Sequence, residues 1–428
     1  MTDAGCGITS NHSAGSTPAL PGHSAGSTPA LPGHSAGSTP APRRRPKDRK
    51  AQILTAAAEA FSERGYHAVG IDDIAATLDI SGPALYRHFP TKYALFVHTV
   101  MGLSGTLLTA TDLEFDSEDP RERLDAVMMA IIDTTIDNRR TGGLYRWEGR
   151  YLAPADRLAL RRSVTILNQR VRTPLMQLRP ELSEADASTV AAAAISVVAS
   201  ITAHRSVLSA KQIESLLLST VRGVLAVNLP ELTDGPPADI STGGYESKRE
   251  ELLHEAIRLF YRHGYHSVSI EDIGAAAGIN ASSVYRYFAS KSDLLAAAFQ
   301  RASDGLTVAL DEAFAQSTTT EDAIETLVDL YLELSFERSE LMAVYFAEIG
   351  NLPKEQRSAL RNLQRLNIEK WAQLLSDARP DITAVQARFL VHAALGLVFD
   401  MGRLVHFDLS PGPAGRVRQL MLTTLMGQ

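Results

Sequence analysis

The chain has 428 residues, of which 45% are hydrophobic and 21% charged, a composition typical of globular proteins that bury sizeable cores. Its net charge of -7 argues against a protein that coats nucleic acid indiscriminately, so DNA binding would need locally placed Lys and Arg. The one cysteine, Cys6, excludes a disulfide framework and a Cys-ligated metal site, and a reducing cytoplasm is expected. We predict no secretory signal and no membrane contact, because apolar segments such as 190–201 look too short to span a bilayer.

The first 42 residues form a low-complexity leader built on the repeat GHSAGSTPALP. Such a segment has almost nothing to bury, so residues 1–42 are expected to be disordered. His12, His23 and His34 recur with the repeat, but histidines in a repeated polar word are more often incidental than metal ligands. We therefore predict no metal site here.

The decisive feature is an internal duplication. When the chain is shifted by 199 residues, the segment starting at Ile53 aligns with the segment starting at Leu252, and 17 of 44 positions are identical. The match includes Gly-Tyr-His at 65–67 and 264–266 and Tyr-Arg at 86–87 and 285–286. A weaker register continues downstream at a shift of 200, so the duplicated unit covers nearly 200 residues.

Each copy begins with a pattern that predicts three short helices. The first, at 50–64, has apolar residues at helical spacing and stops at Gly65. Ser269 and Asp272 predict a capping box on the second helix of copy two, where copy one has only Gly70. The third helices are capped by Ser81 and Asn280, and the turns before them place Asp79 where copy two has Gly278.

This pattern, which includes SGPALYRHF followed by Lys92, resembles the helix-turn-helix DNA-binding segment of TetR-type repressors over roughly 45 residues in each copy. The resemblance implies that the third helix faces DNA bases, that its Tyr and the following Lys hold phosphates, and that the helical remainder binds an effector. The DNA-binding residues carried over in copy one are Ser81, Gly82, Pro83, Ala84, Tyr86, Arg87, His88 and Lys92. Those in copy two are Ser269, Asn280, Ala281, Ser282, Ser283, Tyr285, Arg286, Tyr287 and Lys291.

The two copies differ in their flanks and in their recognition helices. Arg43, Arg44 and Arg45 directly precede copy one, and we interpret them as an arm on phosphates or in a minor groove, although a solvated flank is the alternative. Copy two has only Lys248 and Arg249 there, beside acidic residues. Because SGPALYRH and NASSVYRY are chemically different surfaces, one chain is expected to recognise an asymmetric operator.

These observations predict an all-α fold of two tandem TetR-like units, each a helix-turn-helix domain followed by a helical effector domain. The predicted segments are 43–98 and 99–228 for copy one, 247–299 and 300–428 for copy two, with a linker at 229–246. That linker can extend roughly 60 Å, more than the roughly 34 Å between successive major-groove faces. A monomer with internal pseudo-two-fold symmetry is therefore expected, joined through a four-helix interface of 183–206, 211–227, 383–406 and 415–426.

Candidate pockets lie between the DNA-binding segments and this interface. Aromatic and charged side chains suggest a site for a lipid-derived ligand or an acyl thioester, with core and surface positions as the alternative. The residues are Arg146, Trp147, Arg150 and Tyr151 in copy one, and Tyr345, Phe346 and Glu348 in copy two. The tandem arrangement is similar to the double-unit repressors of mycobacterial mammalian-cell-entry (lipid-uptake) operons.

No catalytic motif competes with this interpretation. The sequence has no Gly-rich phosphate loop, no Cys-x-x-Cys, no HExxH and no GxSxG, so neither an enzyme nor a cofactor is predicted. Histidines such as His98, His204, His392 and His406 are interpreted as ordinary interior or surface residues. Two alternatives stay open: a helical interaction protein that has lost DNA binding, and a chain in which one copy alone binds DNA.

Overall fold

The computed structural model describes residues 48–144, 148–232 and 247–427, without the side chains of Glu148, Arg150 and Phe346. Within these ranges the chain is helical and contains no strand. The predicted leader, the Arg43–Arg45 arm and most of the linker lie outside the described residues. The described residues belong to one compact unit. The all-α fold with two tandem units is confirmed.

Copy one contains eight labelled helices and two short 3-10 turns within its described residues. The helices are α1 (Arg49–Arg64), α2 (Ile71–Thr77), α3 (Gly82–Tyr86), α4 (Lys92–Ala110), α5 (Pro120–Asp137), α6 (Pro154–Leu178), α7 (Glu184–Ala199) and α8 (Ala210–Ala226). The 3-10 turns are Glu148–Tyr151, before α6, and Ser200–Thr202, after α7.

Copy two repeats this order. Its helices are α9 (Lys248–His263), α10 (Ile270–Ala276), α11 (Ala281–Val284), α12 (Lys291–Gln316), α13 (Thr320–Glu337), α14 (Ser339–Glu348), α15 (Lys354–Ala378), α16 (Ala384–Leu404) and α17 (Pro411–Met426). A 3-10 turn, Ile349–Asn351, follows α14. Helices α6 and α15 have the same length at a shift of 200, so the duplication persists through the effector halves.

The first three helices of each copy form a small module, here called module one (residues 49–89) and module two (residues 248–288). Their turns follow local sequence. Gly65 and Gly264 end α1 and α9 at φ of 81° and 80°, where a side chain would be strained. Gly278 takes φ of 68° before α11, and its counterpart Asp79 takes φ of 52°, as predicted. The capping box of Ser269 and Asp272 is also confirmed, with hydrogen bonds of 2.8 and 3.1 Å.

The effector halves of the two copies share one hydrophobic core. It contains buried residues of α7 and α8, such as Val197 and Val221, together with residues of α16 and α17, such as Val391 and Leu420. Helix α7 packs on α16 and α8 packs on α17, which confirms the predicted four-helix interface. Because each helix buries an apolar face against the other copy, neither half could expose this face to water without a large hydrophobic cost.

Polar contacts fix the alignment of this interface. The Ser196 hydroxyl donates to Asp400 Oδ2 at 2.6 Å. Arg416 forms an ion pair with Asp186 and donates through Nε to the Pro230 carbonyl at 2.9 Å. The Arg416 side chain is only 12% exposed, so this pair is less screened than a surface ion pair. Together these contacts oppose sliding of one copy along the other.

Three of the described helices are long and apolar enough to span a membrane by length and composition alone: Lys92–Ala110, Glu184–Thr202 and Ala384–Leu404. The expectation that the apolar segments are too short to span a bilayer was therefore wrong for these three helices. In the fold, the second and third of these segments contribute to the shared core, where Val190 and Leu397 are fully buried.

Candidate nucleic-acid interface and ligand cavity

Helix α3 presents a short exposed surface on module one. Its N-terminus is capped by Ser81, whose hydroxyl accepts from the Ala84 amide at 3.4 Å. Leu85 and Phe89 are buried, which orients the helix on its module. The exposed side chains are Pro83, Tyr86, Arg87 and His88, while Ala84 is half-buried.

Gly82 does not belong to this exposed surface. It is buried where α3 packs on α2, and an added Cβ would lie 2.2 Å from Asp72 Oδ1. The missing side chain of Gly82 permits close packing of the two helices, and its contact with bases stays a prediction.

Helix α11 presents a chemically different surface on module two. Asn280 caps it, with Oδ1 accepting from the Ser283 amide at 2.9 Å. The side chains of Ser282, Tyr285, Arg286 and Tyr287 are exposed, and those of Ala281 and Ser283 are half-buried. Tyr285 is 53% exposed and its counterpart Tyr86 is 48% exposed, so the shared Tyr-Arg pair occupies the same environment in both modules.

The two lysines predicted to hold phosphates are half-buried and bind the protein's own backbone. Lys291 Nζ donates to the carbonyls of Tyr265 at 2.8 Å and Val268 at 2.7 Å, and it lies 4.3 Å from the centre of the Tyr265 ring. Lys92 Nζ lies 3.5 Å from the His67 carbonyl oxygen and 4.4 Å from the centre of the Tyr66 ring. Burial lowers the pKa of both ammonium groups. These lysines hold the turn after the first helix, and their phosphate role stays a prediction.

One basic residue at the start of each module contacts the phenylalanine that follows the recognition helix. Lys50 Nζ lies 5.5 Å from the centre of the Phe89 ring, and the Arg249 guanidinium lies 4.8 Å from that of Phe288. The acidic neighbours in copy two are paired: Glu250 with Arg301 at 3.0 Å, and Glu251 with Lys248 at 2.6 Å. Repulsion of phosphate by these two carboxylates is therefore reduced.

A cavity of about 860 Å³, here called the shared cavity, lies where the two copies meet. It is lined by the end of α1 and the following turn, by residues 202–206 of copy one, and by α14, α15 and α16 of copy two. Among the described lining residues, arginines outnumber glutamates by six to three. The arginines are Arg64, Arg205, Arg357, Arg361, Arg365 and Arg388. The cavity wall is therefore positive although the chain is net negative.

Glu348 joins both copies at the edge of this cavity. Its side chain is 1% exposed. Oε1 accepts from the Tyr265 amide at 2.9 Å and from the Tyr151 hydroxyl at 3.2 Å, and Oε2 accepts from Asn351 Nδ2 at 2.6 Å. One carboxylate thus connects module two, the Glu148–Tyr151 turn of copy one and the end of α14.

The modules also contact each other directly above the cavity. The rings of His67 and His266 lie 5.1 Å apart, and the Tyr151 ring lies 4.6 Å from that of His67. Both histidines occupy the turn after the first helix of their module, so the modules meet through equivalent turns.

Two stacked histidines, one from each copy, form the inner wall. The His204 and His392 rings are nearly parallel, with centres 4.3 Å apart. Burial is the main cause that lowers the pKa of both, with added repulsion from Arg139, and it brings the pKa of His392 to about 4. They are interior residues, as expected, but the sequence did not indicate that they pair across the copies.

The His392→Gln variant is expected to lose less stability than the wild type as the pH falls. The unfolded side chain titrates near pH 6.5 and the folded one near pH 4, so the contribution of neutral His392 is present above pH 6.5 and is lost as pH falls toward 4. Between pH 7 and 5 the wild type should lose about 2 kcal/mol more than His392→Gln. Urea unfolding at each pH measures this. The exposed His88→Gln variant is the control, and identical pH profiles for all three proteins would refute the assignment.

The predicted ligand residues are distributed unevenly around the shared cavity. Tyr151 lines it, and Tyr345 lies behind it, donating to Gln364 Oε1 at 2.9 Å. Burial raises the pKa of Tyr345 to about 12. Arg146 and Trp147 lie outside the described residues, as do the side chains of Arg150 and Phe346. The structure brings Tyr151 and Glu348 into one cavity, where the sequence suggested a separate pocket in each copy.

The arginines of α15 line the cavity although they were not predicted as site residues. Arg357, Arg361 and Arg365 recur every four residues and so share one helix face, a signal that was present in the sequence. Within the described residues no group of three His, Cys, Asp or Glu side chains is arranged to hold a metal ion.

The family pattern described as bacterial regulatory proteins of the tetR family matches residues 53–99 and 252–298. Both matches cover a three-helix module and the start of the following helix. Both segments are therefore similar to this family of bacterial regulatory proteins. The two matches coincide with the duplicated segments of the chain.

Two of the similar proteins carry names of transcriptional regulators. The transcriptional activator FasR of Mycolicibacterium smegmatis is 39% identical over 99 residues, covering 21% of this chain and 42% of FasR. The repressor KstR2 of Rhodococcus jostii is 31% identical over 134 residues, covering 31% of this chain and 64% of KstR2. The chain therefore spans less than two thirds of either relative.

Among solved structures, a TetR-family regulator from Bordetella parapertussis is 26% identical, with a TM-score of 0.39. The match covers 42% of this chain and 95% of that protein.

Proposed function

We propose that this protein is a sequence-specific DNA-binding transcriptional regulator that recognises one asymmetric operator with two different helices. The proposal is carried by the exposed surfaces of α3 and α11. Their Tyr-Arg pairs are identical and equally exposed, which suits contacts to phosphates that carry no sequence information. The flanking exposed residues differ between the modules, and such positions are the ones that specify bases.

Both modules belong to one chain and are held by one interface. In a protein of two identical chains the half-sites would be equivalent, so the operator would be palindromic. Here the effector half of copy one packs through α7 and α8 on α16 and α17 of copy two in the same chain. We propose a monomer with internal pseudo-two-fold symmetry that binds two unlike half-sites.

The regulator we propose responds to a small effector in the cytoplasm and needs neither a metal nor a cofactor. By its resemblance to the double-unit repressors of mammalian-cell-entry operons, the effector is lipid-derived or an acyl thioester. The similar proteins include an activator and a repressor. We propose that the protein represses transcription and that binding of the effector relieves this repression.

Selection of bound DNA from a random library with the purified chain tests this function. We expect two unlike half-sites whose centres are separated by about one helical turn, or a multiple of it. Enrichment of a palindrome or of a single half-site would overturn the two-helix proposal. Failure to enrich any sequence would favour a helical interaction protein that has lost DNA binding.

A further inference from the structure

The shared cavity has the size and charge of a site for a small anionic ligand. Its volume of about 860 Å³ falls within the range of roughly 300–1,000 Å³ typical of ligand pockets. Its arginine excess is local, because the whole chain carries a net charge of -7. Like charges collected in a partly enclosed space repel one another, and a bound anion would relieve that repulsion.

Two of these arginines keep their charge available. Arg361 and Arg365 have no carboxylate within ion-pair distance among the described residues, and the neighbour of Arg365 is the neutral Asn362 amide oxygen at 3.0 Å. In contrast, Arg388 is paired with Glu369 at 3.2 Å. The guanidinium fork matches the oxygens of a phosphate group in geometry and charge.

His204 supplies an independent indication of a ligand. Its side chain is 6% exposed and lines the cavity. Nδ1 accepts from the Ser206 amide at 3.3 Å, so the ring proton is on Nε2. Nε2 is buried and has no hydrogen-bond partner among the described residues. A buried donor without an acceptor is costly, and an anionic oxygen in the cavity would satisfy it.

The site exists once per chain, because the two copies have diverged. At a shift of 200, the positions of Arg365, Arg388 and His392 carry Thr165, Ser188 and Ala192 in copy one. We propose that the shared cavity binds one small polyanion of the phosphate class per chain, held by Arg361, Arg365 and His204.

The shared cavity extends to both modules. Gly65 and His67 of module one line the cavity, and so does His266 of module two. A regulatory role for the site rests on the proposed function. Ligand binding at the site is independent of that function, because it can be measured without DNA.

The test is calorimetric titration of the full chain with inorganic tripolyphosphate at fixed ionic strength, in the absence of DNA. We expect one binding event per chain, and at least tenfold weaker binding in the double variant Arg361→Gln/Arg365→Gln. Both arginines are exposed, so the variant should fold, and its unfolding temperature checks this. His204→Leu introduces the residue that copy two has at the equivalent position, 404. Its affinity for tripolyphosphate should be severalfold lower than that of wild type.

The matched control is Arg161→Gln/Arg162→Gln. It removes the same charge from exposed positions of α6, one of which is equivalent to Arg361. Affinity within twofold of wild type is expected. No binding, two or more equivalent sites, or equal losses in both double variants would overturn the proposal. If the wild-type chain binds tripolyphosphate but binds no DNA, the proposed function is overturned and the ligand site is not.

Discussion

Replacing Glu348 with alanine is expected to lower the free energy of unfolding by about 3 to 5 kcal/mol. The carboxylate is buried and accepts hydrogen bonds from the Tyr265 amide, the Tyr151 hydroxyl and the Asn351 side chain. Its removal leaves a buried backbone donor unsatisfied and disconnects module two from copy one. Urea unfolding followed by helical circular dichroism measures the change.

Two further variants make this result specific. Glu348→Gln keeps the size and one oxygen acceptor, so its loss should be smaller than that of alanine. Asp125→Ala breaks a surface pair with Arg222, whose side chain is 55% exposed, and should cost under about 1 kcal/mol. If Glu348→Ala were no more destabilising than Asp125→Ala, Glu348 would not connect the copies as described.

The double variant Tyr285→Phe/Arg286→Ala should bind the selected operator about 10- to 100-fold more weakly. Both side chains are exposed on module two and pack no core, so their loss should act on DNA contacts. Removal of one cationic phosphate contact should also reduce the slope of log K against log salt by about one. Fluorescence anisotropy over a salt series measures both quantities.

A control of the same residue types is available on α9. Tyr261 and Arg262 are exposed on another helix of module two, and Tyr261→Phe/Arg262→Ala should leave operator affinity unchanged. Lys291→Ala is a poorer probe, because it also removes two hydrogen bonds from the Lys291 ammonium group to backbone carbonyls of module two. Wild-type affinity in the Tyr285/Arg286 variant would mean that copy one alone binds DNA.

The parts of the fold that follow from local rules could be predicted. The caps at Ser81, Asn280 and Ser269 depend on residues three positions apart, and the positive φ at Asp79 and Gly278 follows from turn geometry. The four-helix interface was predictable because its helices are apolar on the faces that meet.

The shared cavity could not be predicted in the same way. Tyr151 meets Glu348, and His204 meets His392, only because the copies pack in one particular orientation. No local pattern encodes that orientation. Lys291 shows a second limit, since its place in a motif did not reveal that backbone carbonyls surround its ammonium group.

The central claim is that one chain binds DNA with two unlike modules. Native mass spectrometry of the complex with a duplex carrying one selected site tests it most directly. We predict one chain per duplex, and still one chain at higher protein concentration. Two chains on each selected site, with no complex containing a single chain, would contradict the account.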